Sequence, residues 1–213
     1  TYTEPYLPCE ALLSEGDGSI SREVITIVSG AGVIEAGTVV GKITTGSSAS
    51  AAAFAGNTGT GTVGSITVSA GAKPGAYKLV IVEPGSNVGT FTVEDPDGVL
   101  IGTGVVASAF SAGGLAFTVS DATDFIAGDG FTITVAAGSG KWDAYDDGNS
   151  NGTQVAAGVT LYTVDATSGD VTTTAIVRLA EVKKDALRWD DAVDSTARST
   201  AYTQLAAINI IAR

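Results

Sequence analysis

The side chains that could do chemistry in this chain are narrow in type. It has no histidine, and its one cysteine, Cys9, lies in Leu7-Pro8-Cys9-Glu10 without the basic neighbour that would lower a thiol pKa. Ser-His-Asp and Cys-His nucleophiles and His-ligated zinc are thereby excluded. Carboxylates are plentiful, 23 against 11 Lys and Arg. A glycosidase-type acid pair would need two of them facing one cleft, but they fall mainly in turns and corners. The run Asp147, Asn149, Asn151, Gly152 matches the opening of an EF-hand calcium loop, with oxygen ligands at alternate residues and Gly at the sharp turn. The match then fails, because Gly158 stands where the bidentate Glu is needed and no helices flank the loop. A polar turn whose Asp and Asn side chains bond their own backbone accounts for it better, and the same holds for Asp95 to Asp97. None of the glycine-rich runs has the phosphate-binding G-x-x-x-x-G-K-[ST] pattern. The reading is no catalytic residue, no cofactor and no metal.

Charge narrows the partners. A net −12 argues against a grip on nucleic acid, which rests on clustered Lys and Arg. It favours solubility and discourages uncontrolled association. No stretch reaches the roughly 20 apolar residues that span a bilayer, so no membrane contact is expected. Glu4, Pro5 and Pro8 interrupt any apolar run that could serve as a signal peptide, and synthesis in the cytoplasm is the expectation.

The elements that would have to position any site are short strands. Gly, Ala, Val and Thr dominate, a profile for tight turns and β-structure. Glu23 to Val28 and Thr38 to Thr44 read as a hairpin-like pair around Gly30 and Gly32. From Thr45 the composition turns to Gly, Ser, Ala and Thr, as in a flexible linker. Six candidate strands follow: Thr62 to Ser69, Ala76 to Val82, Gly89 to Glu94, Val99 to Val105, Leu115 to Ser120 and Phe131 to Val135. Lys73 and Lys78 are the only cations of this region against seven carboxylates, so it should present an acidic surface. In the last third, Val159 to Val164 and Ala175 to Val182 read as strands. Ser195 to Ala207 reads as a helix capped by Asp194 or Ser195 with Ala197, Ala201 and Leu205 on one face. Ile208 to Ile211 reads as a closing strand. Trp142 and Trp189 each sit beside an element boundary rather than in an aromatic row, which favours anchoring over ligand stacking.

The order of the last third carries a resemblance: KWDAYDDGNSNGTQVAAGVTLYTVDA, then TTTAIVRLAEVKKDALRW, then DDAVDSTARSTAYTQLAAINIIAR. With ITIVSGAGVIEAGTVVGKIT upstream, it resembles the head decoration proteins of lambda-type tailed bacteriophages, over a little over half the chain. The fold expected is mainly β: a small mixed α/β base domain, residues 22–44 and 140–213, with an inserted β-sandwich or barrel-like module, residues 45–139, projecting outward. The resemblance implies a homotrimer on the outer surface of the virion, bound to the major capsid protein and holding the shell against the pressure of packaged DNA. Residues 1–21 would be a capsid-binding arm that gains order on its partner, with Tyr2, Pro5, Tyr6, Leu7 and Leu12 in contact. Trp142, Leu187 and Trp189 would anchor the subunit interface or the core beneath it. The rival readings are an adhesin-like or carbohydrate-binding module touching a host surface or glycan, and a bare scaffold domain of a tail or cell-surface protein.

Overall fold

The computed structural model describes residues 7–86 and 88–213. Two compact units emerge, one comprising the chain up to Ile43 together with Gly140–Arg213, the other Thr44–Ser139. In chain order, the first unit begins with β1 (Leu12–Glu15), α1 (Gly18–Ser21), β2 (Arg22–Ile27), β3 (Val33–Ile34) and β4 (Val39–Lys42). The second unit holds β5 (Thr45–Ala53), β6 (Thr62–Val63), β7 (Thr67–Val68), β8 (Gly75–Glu83), β9 (Thr90–Glu94), β10 (Leu100–Val105), β11 (Ala109–Ala112), β12 (Leu115–Ser120) and β13 (Gly130–Ala137). The chain then returns to the first unit for β14 (Trp142–Ala144), β15 (Ala156–Thr160), β16 (Val164–Asp165), β17 (Val171–Ile176), β18 (Ala180–Val182), α2 (Ser195–Ala207) and β19 (Ile210–Ala212).

In the first unit, β14, β2, β17, β15 and β4 close into a barrel in that order. The hairpin expected between β2 and β4 does not form. Trp142 pairs in parallel with Ile27 on one side and antiparallel with Lys42 on the other, so β14 lies between the two strands. The intervening turn is long enough to carry β3, which pairs with β16 instead. Alternation along the barrel strands sends Ile25, Ile27, Val40, Ala175 and Trp142 into one apolar cluster. A Cβ on Gly158 would stand 3.5 Å from the Trp142 ring and 2.8 Å from the Ile176 carbonyl. Because β15 is not a neighbour of β14, the indole spans the barrel interior and glycine makes room for it.

The other faces of these strands, with Val39, Val159 and Ile176, pack against Ala197, Ala201 and Leu205 of α2 and against the sheet β1-β18-β19. The Asp194 carboxylate accepts from the N–H groups of Thr196 (2.8 Å) and Ala197 (2.9 Å), satisfying two donors of the first turn as the sequence led one to expect. Three strand readings are corrected by backbone reversals. The Ala175 to Val182 reading is split after Ile176, with Leu179 in the left-handed region at φ 52°. The closing strand starts at Ile210 because Ile208 caps α2 and Asn209 turns the chain at φ 62°. Val159 to Val164 breaks after Thr160, where Leu161 is buried.

The second unit contains two antiparallel arrays: β10-β9-β8-β13-β5, and β11-β12-β6 with β7 also on β12. Inward residues of both, among them Tyr77, Leu79, Phe91, Ile133, Phe110 and Phe117, form one apolar cluster. The linker-like stretch after Thr45 is in fact β5, paired with β13 from Ala53↔Phe131 to Thr45↔Ala137. Thr62 to Ser69 is two short strands broken over residues 64–66, and β11 was not anticipated.

Carboxylates lock the loops of this unit. Asp129 is buried and accepts from the N–H groups of Thr58 (3.0 Å), Gly59 (2.8 Å) and Ile126 (3.0 Å). Burial alone would raise its pKa, but the three donors hold the carboxyl below its usual range. Asp95 is likewise held low, first by Lys73 at 2.5 Å and then by the N–H groups of Val99 and Asp97. Lys73 also reaches Asp97 at 2.6 Å.

Two outcomes follow. Depressed carboxylate pKa values contribute stability above the unfolded value of about 4, and that stability is lost as pH falls through the folded value. Asp129→Asn should cost the second unit about 2 kcal/mol near pH 7 and flatten its acid denaturation limb; an unchanged limb in urea melts across acid pH would refute the assignment. In the first unit, the buried Thr173 hydroxyl has no hydrogen-bond partner among the described residues. Thr173→Val keeps the shape and should raise stability by about 1 kcal/mol, and a lower melting temperature would count against this placement.

Candidate functional site

Among the described residues, no group of three or more His, Cys, Asp or Glu is set to hold a metal ion, and no helix is long and apolar enough to cross a membrane. The loop at Asp147 closes on itself: Gly148 N–H donates to Asp146, Thr153 N–H to Asn151 and the Asn149 amide to Thr153. These are the turn bonds that the residue types favour. The relevant geometry is that of surfaces.

Of the residues marked for capsid contact, Tyr2, Pro5 and Tyr6 lie outside the described residues. Leu7 is 59% exposed, whereas Leu12 packs against the core of the first unit. From Cys9 onward the segment is ordered on its own unit. Cys9 N–H donates to Leu161 O (2.9 Å), Ala11 is buried, and β1 runs antiparallel to β18 from Leu12↔Val182 to Glu15↔Ala180. Asp17 caps α1 through Ser19 N–H, and Glu15 pairs with Arg22. An arm of 21 residues folding only on a partner is therefore too long. The apolar patch Ala11 to Leu13 supplies a strand and a core contact within the chain itself.

The three anchors are not brought together. Trp142 fills the barrel, while Leu187 is buried in the other cluster with α2. Trp189 lies over that second cluster, edge-to-face with Tyr145 (centroids 6.0 Å) and Tyr202 (5.6 Å). Arg198 stands 5.9 Å from the indole centroid and Lys184 4.9 Å from the Tyr202 ring, so cations cover these rings as they would cover a ligand platform already in use. Burial raises the pKa of Tyr145 and of Tyr202, so both phenols stay neutral. Beside Trp189 a groove of about 290 Å³ is lined by Val33, Ile34, Glu35, Arg188, Asp190 and Asp191. Nearby, Asp143 has a raised pKa, chiefly from burial and then from the charges of Asp146 and Asp190.

Sequence reasoning missed one surface of the first unit. Leu13 and Ile211 are exposed on β1 and β19, and Leu179 is exposed while held in the left-handed region. Between them Glu181 accepts from Ser14 and pairs with Arg213 at 2.6 Å. Alternation alone could not have found it, because a left-handed leucine is a backbone fact. In the second unit Tyr77, Phe91, Phe110, Phe117, Phe125 and Phe131 are buried and Phe54 is half-buried, so among the described residues no row of exposed rings is set out there for a sugar to stack on.

Against known proteins, the family model described as bacteriophage lambda head decoration protein D matches residues 1–210, a wider span than the residues that carried the resemblance. No curated protein matches. Among solved structures, the chain is similar to FlgL of Xanthomonas campestris, with 26% identity over 47% of this chain and 33% of that one and a TM-score of 0.34. The flagellar junction protein FlgL of Legionella pneumophila gives 21% identity over 47% and 37%, with a TM-score of 0.36. The flagellar hook junction protein FlgK of Burkholderia pseudomallei gives 22% over 57% and 21%, with a TM-score of 0.33. The chain thus spans little more than a third of these proteins at most, and at such scores the likeness carries no argument.

The placement of Leu187 is open to measurement. Leu187→Ala should lower the stability of the first unit by about 3 kcal/mol through the cavity it leaves. Equilibrium unfolding followed by Trp fluorescence reads this, and a loss below about 1 kcal/mol would mean the side chain is not packed as described.

Proposed function

The chain belongs to the family of bacteriophage lambda head decoration protein D, a structural family of the phage head, and from that premise we propose that it binds the outer surface of the assembled head as a trimer and reinforces it. The observation that carries the reading is the family match over residues 1–210. The physical task is to tie neighbouring subunits of the major capsid protein together so that the pressure of packaged DNA is spread over many contacts. Three weak attachments on one trimer act as a single durable one, because the second and third bind at high effective concentration.

The structure's distribution of side chains supports a division of labour. Capsid contact is assigned to Leu7, which is exposed, and to Tyr2, Pro5 and Tyr6 before it; Leu12 is committed to its own core and supports them. Trp142 and Leu187 are likewise used inside the unit. Trp189, only partly buried, is the one of the three anchors with surface to offer a neighbouring subunit. The acidic residues keep a protein made in many copies from adhering to nucleic acid before it reaches the shell. The second unit, with its closed apolar cluster and charged loops, is assigned to the outward side of the particle.

Removal of residues 1–6 should leave a protein of unchanged oligomeric state and melting behaviour that no longer cosediments with expanded heads. Electron microscopy of heads with and without the full chain should show added density on the outside at three-fold positions. Saturation of heads by the truncated protein would overturn the arm assignment, and the absence of added density would overturn the function.

A further inference from the structure

Among the described residues, the second unit has at β5 a sheet edge whose outer side bonds to no other strand. At the far side of the array, β10 is shielded, since Cβ atoms on Gly102 and Gly104 would meet the Phe110 ring of β11 at 3.1 and 3.0 Å. β5 has β13 on one side only, and among the described residues 46–53 make no hydrogen bond to anything else. Residues 47, 48 and 50–53 are exposed. Ala51 and Ala53 are exposed even though their partners Ile133 and Phe131 are buried, whereas Ala49 packs against the apolar cluster of this unit, so cover from the opposite array ends before Ala51. Natural edges are blunted with Lys, Pro, a short strand or a covering loop. This one is nine residues long and has none of these: no proline, and no charged residue anywhere between Lys42 and Lys73.

We propose that β5 pairs, antiparallel and edge to edge, with β5 of a second copy of this chain, joining the two sheets into one. Charge selects the occupant. The chain carries −12 overall, and the second unit has seven carboxylates against two lysines, so two copies repel over most of their surface. The uncharged run that contains β5 is where they can approach. The exposed stretch is symmetric about Ser50, so a two-fold axis there sets Ser47 opposite Ala53, Ser48 opposite Ala52, Ala49 opposite Ala51 and Ser50 opposite itself. Every pair is small and neutral, without the like-charge opposition that destabilises strand pairing. Backbone groups of β5 left to water in one copy then complete a ladder in two. This contact is separate from the shell-binding reading and is expected in solution.

Sedimentation velocity of the full chain without heads, over a concentration series, tests it. The parent should reach a species of twice the mass of that formed by Ser50→Lys/Ala52→Lys, whose self-association should be at least about tenfold weaker because lysines then face each other across the axis. Both side chains are exposed, and an unchanged melting curve verifies that the variant is folded. In a Cys9→Ser background, Ser50→Cys should oxidise to a linked dimer, its Cβ atoms lying about 5 Å apart. Thr134→Cys, one strand further in, should not. Equal masses for parent and lysine variant at all concentrations would overturn the pairing. So would a Ser50→Cys protein that cross-links only to the capsid protein when heads are added. Head binding is scored in a separate assay, so its loss leaves this result untouched.

Discussion

Three residues decide the architecture of the first unit. β14, Trp142–Ala144, is the piece that closes the barrel, lying between β2 and β4 with a parallel bond pattern on one side and an antiparallel one on the other. Without it neither β2 nor β4 has a neighbour on that flank, and the apolar cluster of Ile25, Ile27 and Val40 would open to water. The same short strand carries the indole that fills the barrel, so closure and packing rest on one side chain. Gly158 on the facing wall leaves room for the indole of Trp142. The strand that closes the barrel also lies beyond the second unit in the chain, so the first unit is complete only once its two segments are joined.

The acidic composition serves local architecture more than recognition. Asp17 and Asp194 cap helices, Asp95 and Asp129 hold loops of the second unit, and Asp165 and Asp190 accept from backbone N–H groups two residues on. A short carboxylate beside a turn supplies the acceptor that the turn's backbone lacks. Aspartate therefore recurs wherever these short strands change direction, and the large negative charge is partly a by-product of having many turns. Its benefit at the level of the whole molecule is resistance to adventitious contact.

What could be read in the residues was what short-range chemistry decides. The helix Ser195–Ala207, its Asp194 cap and its buried face were legible because capping and 3.6-residue spacing are local. Strands such as Leu115–Ser120 and Thr90–Glu94 were legible because large apolar residues alternate along them. β5 was not: Ser and Ala differ too little in hydropathy to show an alternation, so a nine-residue strand looked like a linker. The partner of β2 was not legible either, because a hairpin is the nearest pairing in sequence and the true neighbour arrives after the second unit. The break at Leu179 depends on left-handed backbone that leucine does not announce, whereas Asn209, just past the C-cap of α2, is of a type that favours that region and could have been read. For the candidate surfaces, residue type pointed to aromatic and leucine anchors, but whether each faced inward or outward depended on packing. That is how Trp142 and Leu187 came to be buried and Leu12 to be packed against its own core.

The bonds at the two boundaries give the fold a further use. Ile43 N–H donates to Lys141 O (2.8 Å) and Gly140 N–H donates to Ile43 O (2.9 Å), so the first unit brings both cut ends to one place and fastens them there. Whatever is spliced between Ile43 and Gly140 needs only termini a few ångströms apart to leave the barrel register undisturbed. Lineages could then exchange or discard the intervening module wholesale, and a foreign cargo domain with adjacent ends could be grafted into the same socket.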